Sequence, residues 1–319
     1  MKHLFSILMI VAMTGMISVF YGCEGEQGPA GPAGENGKDA ASNCMDCHNE
    51  STELKAKMVQ YEQSTHFLGA AYGRGSSASC APCHSTEGFR QVAAGEEVTG
   101  HENPTPVSCR ACHAIHSTYT TDDYAVIKTN PVEFKGDLTD DITFDKGMGN
   151  LCVNCHQSRS RNYGLEVDGA GEVEISSSHF GPHHGTQANV LIGTGLFEVP
   201  GSETYPANAT GHYAMVADAC VTCHMVNKNH TFWPDEDACE SCHGGDFDWS
   251  AQEDEIKGLM EDLGALLVAE GLAEADEEGH LHPIRGEMTT HNKAGALFNY
   301  FGLEDDGSHG AHNYKYMKA

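Results

Sequence analysis

The sequence predicts a mainly irregular and α-helical body, with little regular sheet and too few apolar side chains to fill its own interior. Three observations carry this expectation. From Ala41 onward the chain is rich in Gly, His and Asp, and only three stretches hold a helical period. Hydrophobic residues make up 39% of the 319, and 36 of the others are Gly, which leaves a thin core. The pattern C-x-x-C-H occurs six times at unequal intervals of 36, 29, 43, 68 and 19 residues, so this is no simple repeat array.

Residues 1–22 read as an export signal. Lys2 gives a short basic start, Leu4 to Phe20 form an almost unbroken apolar run, and the small Gly22 precedes Cys23. A retained membrane anchor is the alternative, but seventeen residues are short for a span and no stop-transfer charges follow. Residues 23–40 follow as a tether. Gly25, Gly28, Gly31, Gly34 and Gly37 stand at period three with Pro29 and Pro32 between them, a collagen-like G-X-Y tract. Five triplets are too few to hold a triple helix unaided, so a solvated, extended tether fits better than a trimerisation stalk. At about 3.1 Å per residue it would span roughly 50 Å. Residues 41–319 form the body.

Three helices are expected in that body. Leu54, Met58 and Tyr61 mark one running towards His66. Residues 251–270 are the clearest, with Ile256, Leu259, Met260, Leu263, Leu266 and Leu267 in an i, i+3, i+4, i+7 stripe. A capping box of Ser250 with Glu253 is expected at its start and Gly271 at its end. It has no His or Cys, which marks it as a packing helix. The third covers about 289–301 and ends in Leu297, Phe298, Tyr300 and Phe301.

Net charge is −28, and loss of residues 1–22 removes Lys2 alone, giving −29. Such a field repels nucleic acid and anionic membranes and favours basic partners or cations. Solubility explains it equally well.

Twelve of the 13 Cys belong to the six motifs: Cys44, Cys47 with His48; Cys80, Cys83 with His84; Cys109, Cys112 with His113; Cys152, Cys155 with His156; Cys220, Cys223 with His224; and Cys239, Cys242 with His243. Two thiols separated by two residues reach one porphyrin edge as thioethers to its vinyl groups, and the His that follows at once lies under the iron. Chance would supply about 0.03 such matches from this composition. Zinc also uses C-x-x-C pairs, but it does not require a His directly after each of them. Redox dithiols of the thioredoxin type do not fit the number. Six covalent haem c groups, each with its iron, are therefore expected, with six proximal ligands and no thiol left for a disulfide. Cys23, the thirteenth, stands at the cleavage site and needs another explanation.

Thirteen histidines remain outside the motifs and His3, ample for six distal ligands. That excess favours bis-histidine haems over sites with an open position. Cys109-Arg110-Ala111-Cys112-His113-Ala114-Ile115-His116 resembles the CxxCHxxH element of multihaem c-type cytochromes from metal-respiring bacteria. Thr65-His66-Phe67 is similar to their S-x-H distal ligand. Gly211-His212, Gly181-Pro182-His183-His184-Gly185 and His230-Thr231-Phe232 look like further distal segments. Phe298-Asn299-Tyr300 with Gly307-Ser308-His309-Gly310-Ala311-His312-Asn313 resembles their closing NY…DGS-x-G-x-HN segment, with Tyr314 where relatives have Pro. The resemblance implies that His116 ligates a neighbouring haem and that His312 is distal. The favoured distal set is His66, His116, His184, His212, His230 and His312, with His183 not separable from His184. His101, His179, His280, His282, His291 and His309 are reserves, and Met ligation is a weaker alternative. One family of haem nitrite reductases marks its open site with C-x-x-C-K, which does not occur here.

Val19-Phe20-Tyr21-Gly22-Cys23 resembles a bacterial lipobox, with Phe20 where Leu is usual, so Cys23 is the expected lipidation site. By the same resemblance Glu24 points to the outer membrane. The expectation is an electron carrier rather than an enzyme, its core built around stacked haems. It would be a lipoprotein of the cell envelope, periplasmic or surface-exposed, serving respiratory or extracellular electron transport. Partners would be other cytochromes or redox proteins, and extracellular metal oxides beyond them. The motif pair 5 and 6, nearest in sequence, is expected to be the most tightly coupled, with His230 reaching an iron close by. A reductase of a small oxyanion such as nitrite, and a subunit of a haem filament, are the alternatives.

Overall fold

Short helices do most of the work of placing side chains, because the chain rarely runs ten residues without a Gly, Pro or His-rich turn. The computed structural model describes residues 44, 45, 47, 48 and 52–319, apart from 137, 139–141, 160, 161, 200 and 202. The expected signal, the tether and Cys23 lie outside the described residues. Residues 44–319 form one unit.

Its first helices are α1 (Thr52–Glu62) and the single turn α2 (Thr65–Leu68). The buried Ser64 separates them: its extended backbone stops α1, and its hydroxyl accepts from the Phe67 amide to start α2. Next come α3 (Ala81–His84) and α4 (Thr86–Ala94). Ser85 caps α4 by accepting from the Gly88 amide, and Gly95 at φ +71° ends it. Gly88 is required for its size, since a Cβ there would run into the Ala81 carbonyl. That close approach fixes α4 against α3. The turn α5 (Cys109–Cys112) follows.

The middle of the chain holds α6 (Gly149–Val153), α7 (Gln187–Ile192), α8 (His212–Met215), α9 (Cys220–His224) and α10 (Asp237–His243). Among the described residues, sheet is confined to three antiparallel pairs. They are β1 (Val132–Glu133) with β2 (Thr143–Phe144), β3 (Glu172–Glu174) with β6 (Met288–Thr290), and β4 (Ala273–Ala275) with β5 (Leu281–Pro283). The mainly helical and irregular class therefore holds.

The long helices are α11 (Ser250–Ala269) and α12 (His291–Asp306), followed by α13 (Tyr314–Lys318). Ile256 and Leu267 of α11 pack with Leu297 and Phe298 of α12, Tyr316 of α13, and Ile175 and Phe180 from the loop beyond β3. A smaller cluster joins Phe144, Val153, Ile192 and Tyr213. Among the described residues between 44 and 127 the buried apolar ones are only Ala81, Phe89 and Ala111. Protein core is thus concentrated in the second half.

Three expectations change in detail. The cap of α11 is Trp249 rather than Ser250, and no side chain caps it; Ser250 is the first helical residue, its amide donating to Asp248. Leu259 and Leu266 are exposed at 44% and 63%, so the buried stripe of α11 is narrower than its sequence period. The third helix starts at His291, because Met288–Thr290 pair with β3 instead. Gly271 does end α11, at φ +70°.

Candidate paired-histidine sites

A C-x-x-C-H motif is one helical turn long, and that is how the chain folds it. The amide of the motif His donates to the carbonyl of the first Cys at His48, His84, His113 and His156, at 2.7, 3.1, 2.9 and 2.9 Å. His224 and His243 close α9 and α10. In a helical turn residues i and i+3 are neighbours, so both thiols of each motif share a face and the imidazole follows one step on. The twelve described cysteines are free of disulfides.

Each motif histidine faces one other histidine, and no partner is used twice. The ring centres lie 6.1 Å apart for His48–His116, 6.4 Å for His84–His183 and 6.2 Å for His113–His230. They lie 6.0 Å apart for His156–His66, 6.3 Å for His224–His312 and 5.9 Å for His243–His212. With nitrogen about 2.0 Å from a metal ion and roughly 1.1 Å from its own ring centre, two imidazoles on opposite sides of one ion have centres about 6 Å apart. The six pairs all meet that spacing. We number them sites 1 to 6 by their motif.

The far nitrogen of many of these rings is already engaged, which aims the other one. Nδ1 of His113 donates to the Tyr124 carbonyl at 2.7 Å, that of His212 to Ala311 at 2.7 Å and that of His224 to Phe232 at 2.9 Å. His230 uses the Lys228 carbonyl at 2.8 Å, and His156 the Gln187 side chain at 3.2 Å. Burial pushes His66 down to about 4, with His156 adding to the effect. Burial also lowers His84, His156, His183, His224 and His230. A neutral imidazole is the form that binds metal. His312 differs: burial pushes it down, but the Asp306 carboxylate 2.6 Å from its Nδ1 outweighs this and raises it.

His183 and His184 are now separated. His183 turns to His84, while His184 is 69% exposed and hydrogen-bonds Asp305 at 2.8 Å. Of the two, it is His183 that stands opposite a motif histidine. His230 also departs from expectation: it faces His113 of site 3 and neither motif His nearest to it in sequence. Sites 5 and 6 adjoin: Cys223 lies near Cys239 and Cys242, and α9 packs against α10. The Cys83 and Cys155 thiols are close neighbours, and so are those of Cys152 and Cys220.

The reserves lie elsewhere. His280 and His282 sit exposed beside Asp276, as a polar loop suggests. His291 accepts from the Glu166 amide, His309 lies 3.8 Å from Glu253 and His179 lies beside Ser178. His101 has a buried Nε2 with no protein partner, and so has the Nε of Arg159.

Sequence reasoning missed Asp306, Gln187 and Phe232. Asp306 opens the Asp306-Gly307-Ser308 turn, so its position was visible though its role as acceptor for His312 was not. Phe232 carries a positive φ of 60°, which no residue pattern signals. Among the described residues no helix is long and apolar enough to cross a membrane. No family model, curated protein or solved structure matches this chain.

Proposed function

We propose that the chain is a hexahaem c-type cytochrome whose haems, each attached through two cysteines and ligated by two histidines, carry electrons at the cell envelope. One observation carries the reading: six motif histidines face six different histidines, all at the spacing that two ligands of one metal ion require.

The surroundings fit the same group. Paired thiols on one face of a helical turn suit two thioethers to one porphyrin edge. The first half of the body has few buried apolar side chains of its own, as expected where large flat apolar groups complete the interior. The unpartnered Nε of Arg159, close to Cys83, suits a haem carboxylate. Haem supplies one-electron chemistry at iron, and two histidines leave no open position for a substrate. That favours a carrier over a reductase of nitrite or a similar oxyanion. Every motif His also finds its partner within the chain, so no ligand has to come from a neighbouring protomer in a filament.

On this reading the protein is a lipoprotein anchored through Cys23, similar to the multihaem cytochromes of metal-respiring bacteria. It would exchange electrons with other redox proteins and, through them or directly, with extracellular metal oxides. Intact mass in denaturant should exceed the mature polypeptide by six haems. Electron paramagnetic resonance of the oxidised protein should show low-spin iron alone. A missing haem, or a high-spin signal that binds carbon monoxide after reduction, would overturn the reading and favour the reductase.

A further inference from the structure

We propose that charges built around the sites bias electron flow from site 6 towards site 2. Arg74 and Arg159 make site 2 hold its electron more tightly, and a run of acids makes sites 5 and 6 hold theirs less. This rests on the reading that each site holds one haem, and it goes beyond it by giving the flow a direction and naming the residues that set it.

Site 2 is flanked by cations in a chain of net charge −28. The charged neighbours of both its histidines are Arg74, Arg159 and His184. Packing puts the two arginines there. Arg74 belongs to the 3₁₀ turn Ala71–Ser76. That turn is pressed so closely on the residue after His84 that a Cβ on Gly75 would lie 2.6 Å from the Ser85 Cβ. Arg159 follows His156 of site 4 by three residues and lies near the Cys83 thiol, on which Lys135 also acts. The Lys135 amide donates to the Gln157 side chain at 3.0 Å, so both cations hang on one segment. The Nε of Arg159 is buried with no protein partner, and the carboxylate of a haem attached at Cys83 is an acceptor that suits it. The acids of this region are engaged, Asp305 by His184 at 2.8 Å and Glu87 by Thr105 at 2.7 Å.

Site 6 lies in the opposite field. Asp235, Glu236, Asp237, Glu240, Asp246 and Asp248 surround its motif in the sequence, and residues 229–256 hold no Lys or Arg. Three of them, Asp235, Glu236 and Glu240, act on the Cys239 thiol. Asp235 also borders site 5, its amide donating to the Cys223 carbonyl at 3.1 Å. Site 5 has in addition the buried Asp306 carboxylate at His312. Taking up an electron removes one positive charge from a haem, so nearby cations favour ferrous iron and nearby anions ferric iron. Solvent screens the exposed acids of site 6, but it screens the buried Asp306 and the half-buried Arg159 much less.

The thiols mark a continuous way between these ends. Cys223 of site 5 lies near Cys239 and Cys242 of site 6. Cys220 of site 5 neighbours Cys152 of site 4, and Cys155 of site 4 neighbours Cys83 of site 2. Site 3 adjoins site 2 where Thr86 bonds Ser108, and it has its own cation, Lys57, near His230. It therefore belongs with the electron-holding end. In each hop one ferrous iron becomes ferric as its neighbour becomes ferrous. A reduced redox protein supplies the electron at site 6, and an oxidised one takes it up beyond site 2.

The test is a redox titration of the fully loaded protein followed by nuclear magnetic resonance of the haem methyl groups. The low-spin signals lost in His183→Gly mark site 2, those lost in His312→Gly mark site 5, and those lost in His212→Gly mark site 6. In the wild type, site 2 should become ferrous at a higher potential than sites 5 and 6. Arg74→Gln should lower the midpoint of site 2 and leave those of sites 5 and 6 in place. Arg159→Gln should lower site 2 and, to a lesser degree, site 4, whose Cys155 it also neighbours. Arg74→Lys keeps the charge and should keep most of the wild-type midpoint. Site 5 or 6 filling before site 2, or a site 2 midpoint that neither Gln variant moves, overturns the bias. So does an Arg74→Lys midpoint as low as that of Arg74→Gln, since Arg74 would then act through packing and not through charge. The two readings fail separately. Fewer than six haems by mass, or high-spin iron in the wild type, overturns the haem reading and the bias with it. Six low-spin haems that fill in another order overturn the bias alone.

Discussion

An imidazole must be neutral and aimed before it can hold a metal ion; here burial favours the neutral form of several rings, and hydrogen bonds at Nδ1 aim them. At five of the rings Nδ1 is held by a neutral oxygen, a carbonyl or the Gln187 side chain. At His312 the partner is the buried Asp306 carboxylate, which on the proposed reading would make the ring a stronger electron donor and favour ferric iron. Asp306→Asn keeps the shape and removes the charge, so all six haems should stay attached while the midpoint of site 5 rises in a redox titration. A midpoint that falls or stays put would contradict this. His183 and His184 give a second contrast. His183→Gly should produce one high-spin haem that binds carbon monoxide, whereas His184→Gly, which loses only an exposed bond to Asp305, should leave every haem low-spin. The reverse outcome would return His184 to the ligand list.

At the scale of elements, single turns place the paired histidines, and caps hold those turns. Ser64 is fully buried, and its hydroxyl accepts from Phe67 to start the turn that carries His66. Ser64→Ala should cost about 1 kcal/mol, read as a lower midpoint in thermal unfolding with the haem count unchanged. A variant as stable as the wild type would show the cap to be idle. What the sequence made legible divides along the same line. The motif turns, the body of α11 and the end of α11 at Gly271 could be read because each follows from local spacing or from a positive φ that glycine accepts. The start of α11 could not, since Ser250 and Glu253 match a capping box while Asp248, two residues earlier, takes the Ser250 amide instead. The start of α12 was lost to β3, a partner more than a hundred residues away. That the motif histidines would each face another histidine was suggested by the number of histidines left over. Which one each would face was not legible, because His230 reaches site 3 across the fold and only tertiary packing decides that.

For the whole molecule, the uneven spread of protein core would, on the proposed reading, make the two halves depend differently on the prosthetic groups. Residues 44–127 carry three motifs, but among the described residues there only Ala81, Phe89 and Ala111 are buried apolar side chains. The second half has the cluster of Ile175, Phe180, Ile256, Leu267, Leu297 and Phe298, all nearly or fully buried. Each fully buried side chain of that size contributes about 1.5–3 kcal/mol, and residues 44–127 have one such side chain, Phe89, to set against the backbone entropy of three motif turns and their connections. A chain whose motif cysteines are changed to Ala, and which therefore carries no covalent haem, should lose order from its beginning first. Limited proteolysis should cut within residues 44–127 early, and fragments containing α11 to α13 should survive longest. Hydrogen exchange should show the same gradient, with α12 slowest. In the loaded protein the first half should gain most of the protection, because there the haem faces stand in for side chains the sequence does not supply. Equal protection of both halves in the haem-free chain would mean that residues 44–127 fold on polar contacts alone, and the prosthetic groups would then be passengers rather than part of the core.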